Sequence, residues 1–195
     1  MLDAVGLEVW GETFAGVAEE MGLVLVHSAR SPNIRERRDA SAALFDERGE
    51  MIAQAAHIPV HLGALAPAVA AVRALTPAPG ELFLLNDPFA GGSHLPDLTL
   101  IEAVAVDGAV IAYCVVRAHH SDVGGATPGS MPAGAREIFA EGLVVPPVRG
   151  AAEVERLLLA NGRTPAVRRA DLAAPRAAGG PGAGAGRPPA RRPRG

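Results

Sequence analysis

LTLIEAVAV (residues 98–106) and AVIAYCVVRA (residues 109–118) are two apolar runs rich in β-branched residues, separated by Asp107-Gly108, the two-residue signal for a type I′ hairpin. If Val106 pairs with Ala109 and the register continues, Pro96 lies opposite His119 and Asp97 opposite Ala118. The segment entering the first strand and the segment leaving the second then emerge at one end of one sheet. That end carries His94-Leu-Pro-Asp97 from one side and His119-His120-Ser-Asp122 from the other. A hairpin thus gathers imidazoles and carboxylates that stand far apart in sequence.

Working outward, ELFLLN (81–86) reads as a buried strand, and AALFD and MIAQAA flank Glu47-Arg48-Gly49-Glu50 as a second hairpin. Its second strand runs into His57-Ile-Pro-Val-His61, followed by a short Ala-rich helix over 62–75. Residues 2–21 place Leu2, Val5, Val9, Phe14, Val17 and Met21 near one face at helical spacing, with Gly22 as the expected stop. AEVERLLLANGR reads as a further helix. Beyond it the chain turns to APRAAGGPGAGAGRPPARRPRG, which has no aromatic and almost no aliphatic side chain and is expected to be disordered. The expectation is a mixed α/β (α+β) domain over residues 1–172, an N-terminal helix followed by β-hairpins and short helices with a metal site at strand ends, and a tail over 173–195.

The 195 residues, 49% hydrophobic and 20% charged, suffice for one domain with a core. No apolar run approaches the roughly 18 residues of a membrane span, and the N-terminus carries acids rather than a basic leader, so a cytoplasmic protein is expected. The single cysteine, Cys114, excludes an intrachain disulfide and a cysteine-built zinc site, and reads as a small buried hydrophobe. Residues 1–162 hold 10 Arg against 20 acids, whereas residues 163–195 hold 8 Arg against Asp171 alone. The basic tail lacks the interleaved aromatics of a single-strand nucleic-acid binder, so no nucleic-acid partner is expected. There is no lysine, which removes a Walker-type nucleotide site.

Five of the six histidines fall between residues 57 and 120. Neutral imidazoles mixed with carboxylates suit zinc, manganese or iron(II), whereas calcium and magnesium prefer oxygen alone. The glycine-rich runs Phe89-Ala-Gly-Gly-Ser93 and Val123–Met131 read as loops beside this cluster. Ser93, Ser121 and Ser130 lie near histidines and acids, but none sits in a GxSxG elbow, which weighs against serine catalysis. In HIPVH, Pro59 argues for an extended segment that sets His57 and His61 too far apart for one metal, leaving one of them to line the pocket. His27 reads as structural, and Arg35–Asp39 as a charged turn or an anion-holding segment with Asp39 inward.

Four separated blocks, ARSPNIRERRDASAALFDERGEMIAQAAHIPVHLGA, LNDPFAGGSHLPDLTL, RAHHSDVGGATPGSMP and EIFAEGLVVPP, resemble in order and spacing the hydantoinase B/5-oxoprolinase family over about residues 15–172. The resemblance implies the hydrolytic B subunit of an ATP-dependent cyclic-amide hydrolase acting on hydantoin, 5-oxoproline or a similar lactam. ATP would be used through a hydantoinase A-like partner subunit in a hetero-oligomer. By motif match it implies metal ligands at Asp39, His94, Asp97 and His119, with His120 or Asp122 as alternatives, and His120, Asp122 or His57 as proton shuttles or supporting partners. An acetone carboxylase-type subunit is one alternative within the family; a non-catalytic, partner-binding remnant is another, because the family's B subunits are several times longer than this chain.

Overall fold

The computed structural model describes residues 3–58, 61 and 63–185. Six strands form one sheet in the order β2-β1-β5-β4-β3-β6, with every pairing antiparallel: β1 (Ala40–Asp46), β2 (Met51–Ala56), β3 (Leu82–Leu85), β4 (Asp97–Val106), β5 (Ala109–His119) and β6 (Val148–Arg149). The helices are α1 (Ala4–Ser28), α2 (Pro32–Arg35), α3 (Ala66–Arg73), α4 (Ala151–Asn161) and α5 (Pro165–Ala185). The mixed α/β class and both hairpins expected from the sequence are present.

Because side chains alternate across a strand, the sheet has two distinct faces. Ala40, Ala42, Leu44, Leu84, Leu98, Leu100, Val104, Cys114, Val116 and Ala118 form one core with α1, α4 and α5. Ala43, Phe45, Phe83, Leu85, Ile101, Ala103, Tyr113 and Val115 form a second core, covered by Leu65 and by Ala68, Val69 and Val72 of α3. Burial pushes the Cys114 thiol up to about 12, so it stays protonated as a packing group.

The β4–β5 turn has positive φ at both Asp107 (51°) and Gly108 (81°), as a type I′ turn requires. Val106 pairs with Ala109, but the register shifts between Val104 and Ala105, so that Val104 faces Ala112. One extra residue on β5 is accommodated there as a bulge. The consequence reaches the far end of the hairpin, where Asp97 faces His119 directly rather than Ala118.

Two helical expectations are corrected. Gly22 does not stop α1, which continues to Ser28 because Ala18, Met21, Gly22, Leu25 and Val26 form its buried stripe. Val5 and Val9, expected in that stripe, are 67% and 58% exposed, since only the second half of α1 lies on the sheet. Gly22 serves close approach instead: a Cβ there would stand 2.2 Å from His57 Nε2. At the other end, α5 runs through the expected boundary at residue 172 to Ala185, with Leu172, Ala174 and Ala178 buried in the first core. Small residues bring this helix close enough to share a core whose aliphatic bulk comes from other elements. Residues 186–195 of the expected tail lie outside the described residues. Among the described residues, no helix is long and apolar enough to cross a membrane.

Candidate metal centre

Asp97 opens β4, His119 closes β5, and Asp39 immediately precedes β1, whose Ala40 pairs with Ala118. The His119 amide donates to the Asp39 carbonyl at 3.0 Å, which fixes this corner of three strands. All three residues stand at one sheet end. His61 enters from the segment between β2 and α3, and Ser93 and His94 from the loop between the 3-10 turn Pro88–Ala90 and β4.

These side chains converge on Asp97, which is 2% exposed. Its Oδ2 lies 3.1 Å from His94 Nδ1, 3.3 Å from His61 Nε2 and 2.5 Å from the Ser93 hydroxyl, which donates to it. His119 Nδ1 stands 3.3 Å from Asp97 Oδ1 and 3.9 Å from Asp39 Oδ2. The donors fall into two overlapping groups, His94-Asp97-His119 and Asp39-His61-Asp97, each with its ligating atoms within 4.8 Å of one another. Burial alone would raise the Asp97 pKa, but contacts with His119, His61, His94 and Ser93 outweigh it and hold the carboxyl well below the usual range. Contact with Asp97 raises the pKa of His94, whose side chain is 40% exposed and forms the open edge of the cluster.

A divalent ion fits this donor set. Although His119 Nδ1 is near, Asp97 Oδ1 is buried without a properly directed hydrogen bond, leaving an acceptor lone pair available. Ligands about 2.1 Å from one ion stand roughly 3.0–3.4 Å apart in octahedral or tetrahedral arrangements, and the three Asp97–histidine separations of 3.1, 3.3 and 3.3 Å match that spacing. His61 is also supported from behind, with Nδ1 3.0 Å from the Ser41 hydroxyl. A hydroxyl can donate or accept, so Ser41 can hold the ring in either tautomer.

The structure therefore brings together Asp39, His94, Asp97 and His119, and adds His61. The segment HIPVH sends its two histidines apart, as the sequence predicts: His57 packs on Gly22 of α1, while His61 reaches Asp97. His57, His120 and Asp122, expected as proton shuttles or supporting partners, stand outside both donor groups. His120 lines a small cavity with Leu98, Leu158, Arg168 and Leu172 on the face covered by α4 and α5, where burial first and then Arg168 push its pKa down. Successive residues at a strand end point to opposite faces, which separates His120 from His119. Asp122 accepts from the backbone amides of Gly124, Gly129 and Arg163 and from the Arg163 guanidinium, and so organises the glycine-rich loop after β5.

Asn86, immediately after β3, ties the segment that follows His94 to the Leu143–Val145 segment. Its Nδ2 donates to the carbonyls of Leu95 (2.8 Å) and Leu143 (3.0 Å), and its Oδ1 accepts from the Val145 amide (2.7 Å). Asn86→Ala leaves two buried backbone groups and one part-buried one unpaired, for an expected loss of about 2–4 kcal/mol of unfolding free energy. Urea denaturation followed by circular dichroism checks this; a change below about 1 kcal/mol would show the three groups finding other partners.

Comparison with known proteins places this geometry in a lineage. The family model described as hydantoinase B/oxoprolinase matches residues 3–184. The chain belongs to this family. As a family member it is 42% identical over 146 residues to 5-oxoprolinase 1 of Arabidopsis thaliana, which covers 73% of this chain and 12% of that protein. The crystal structure of the ATP-dependent caprolactamase from Pseudomonas jessenii superposes with a TM-score of 0.84 at 35% identity, covering 91% of this chain and 32% of that one. Nucleotide-free acetone carboxylase shares the fold, with a TM-score of 0.77 at 22% identity over 88% of this chain and 24% of that one. The family member described here thus spans about a third or less of the length of the relatives it matches.

Proposed function

We propose that this chain forms the metal-holding part of the hydrolytic subunit of an ATP-dependent cyclic-amide hydrolase, which opens a hydantoin, 5-oxoproline or similar lactam ring. The observation that carries the reading is the convergence of Asp39, His61, His94 and His119 on one buried, ionised Asp97, in a family whose relatives include a 5-oxoprolinase and an ATP-dependent caprolactamase. Asp39, His94, Asp97 and His119, joined by His61, would hold a zinc, manganese or iron(II) ion. Such an ion supplies Lewis acidity, lowering the pKa of water and offsetting charge that develops on a carbonyl oxygen.

The protein's own residues prepare the site before any substrate arrives. Asp97 stays ionised at neutral pH and needs no proton loss to act as a ligand. Ser93 and Ser41 hold Asp97 and His61 in place, so little reorganisation is needed on binding. The half-exposed edge at His94 is the side from which a small ring would approach. Activation of the amide oxygen by ATP falls to a hydantoinase A-like partner in a hetero-oligomer, consistent with a chain that contains no lysine for a Walker motif.

The test is reconstitution. The chain, or the longer subunit containing it, is mixed with the A-like partner, ATP and each of hydantoin, 5-oxoproline and caprolactam, and both ring opening and phosphate release are measured. The expected result is ring opening that requires ATP, both components and metal, with phosphate released in step. Turnover of acetone with bicarbonate instead of a lactam would replace this reading with the carboxylase one.

A further inference from the structure

Among the described residues Arg117 is the largest fully buried side chain, at 0% exposure, and it lies within 4 Å of no described carboxylate. Burial pushes its pKa down and the nearby Asp97 charge pulls it back up. A guanidinium is costly to bury, so the use made of its fixed fork of donors is informative. Nε donates to the Thr99 hydroxyl at 2.8 Å, Nη2 to the Gly91 carbonyl at 2.9 Å, and Nη1 to the Ala64 carbonyl at 3.3 Å. Each anchor sits beside a member of the cluster. Thr99 is two residues after Asp97 on the same face of β4, Gly91 two before Ser93 and three before His94, and Ala64 three after His61. Arg117 itself is two residues before His119 on the same face of β5.

The two loop anchors have no ladder of their own to fix them. Gly91 adopts φ 98° and lies so close to α3 that a Cβ would stand 2.5 Å from the Ala68 amide nitrogen. The Ala64 segment precedes α3 without being part of it. One planar side chain thus links, through uncharged partners, the same two strands and two loops that Asp97 joins at the cluster itself.

We infer that Arg117 is a positioning residue for the metal centre, whose guanidinium sets the distance between the His61 and His94 loops and the Asp97–His119 strand pair. This rests on the metal-centre reading above. A lysine cannot take its place, because a single ammonium cannot span three acceptors set around a planar fork. Outer-shell partners of this kind typically govern metal affinity by about 10–100-fold.

The experiment is titration of the metal-free chain with Co²⁺, reading both the dissociation constant and the visible ligand-field spectrum, for the wild type, Arg117→Met, Arg117→Lys and Thr99→Val. Arg117→Met is expected to bind Co²⁺ about 10–100-fold more weakly with an altered spectrum, Arg117→Lys to restore only part of the affinity, and Thr99→Val to shift both readouts the same way by less. Variants less stable than wild type but identical to it in Co²⁺ affinity and spectrum would overturn the inference, leaving Arg117 a packing residue and the metal centre standing. Should Arg117→Met fail to fold, Thr99→Val decides on the same two readouts. A folded wild type that binds no Co²⁺ would overturn the metal centre and this inference together.

Discussion

Asp97→Asn is expected to strip the metal from the protein while leaving the fold in place. Asp97 is the one residue common to both donor groups, and each of its oxygens faces at least one histidine. Asparagine preserves the shape and one acceptor for Ser93 or His61 but removes the negative charge that a divalent ion requires. Since outer-shell changes alone cost about 10–100-fold in metal affinity, loss of the central ligand should exceed the upper end of that range. Elemental analysis of purified wild-type and variant chains, alongside circular dichroism, checks it. About one ion per wild-type chain and almost none in a folded variant is the expected pair of results. A full equivalent retained in the variant would move the site elsewhere. His94→Ala should act in the same direction but less severely, because His94 lies at the open edge of the cluster.

The sheet end that carries this chemistry was legible because a hairpin announces itself locally. Asp107-Gly108 between two apolar runs specifies the turn, and the turn specifies which ends meet. The one-residue bulge was not legible, since nothing in AVIAYCVV marks an insertion, and it changed the partner of His119 from Pro96 to Asp97. Asp39 entered through family resemblance rather than through spacing. His61 was separable from His57 by the proline between them, but which of the pair turns inward depends on long-range packing against Ser41 and Asp97. Arg117 gave no signal at all: within VVRAHH it reads as the polar end of a strand. Only the tertiary arrangement shows that its donors reach Ala64, Gly91 and Thr99. That α5 continues past residue 172 has a compositional reason. Ala- and Gly-rich sequence lacks the side chains to build a core alone, yet its small residues suit a helix laid closely on a core that others supply.

That helix is held by a contact whose loss should produce the largest change in stability. Asp171→Ala is expected to cost about 3–5 kcal/mol of unfolding free energy. Asp171 is fully buried. Its Oδ1 accepts the amides of Arg30 at 2.7 Å and Ser31 at 3.0 Å, and its Oδ2 accepts from Arg168 at 2.8 Å. Alanine leaves the Arg168 guanidinium buried without its counter-charge and two backbone amides unpaired at the turn between α1 and α2. Arg168 Nε and Nη1 already lack partners, so no spare acceptor stands ready to take over. Breaking one side of a buried pair is penalised far more than removing both, so the double variant Arg168→Met/Asp171→Leu should recover a large part of the loss. Thermal unfolding of the wild type and the two variants checks the prediction. A double variant no better than Asp171→Ala would assign the effect to the Arg30 and Ser31 amides rather than to the ion pair. Either result ties α5 to the segment that leads through α2 into Asp39, so a chain cut at residue 172 should lose stability together with the buried Ala174 and Ala178.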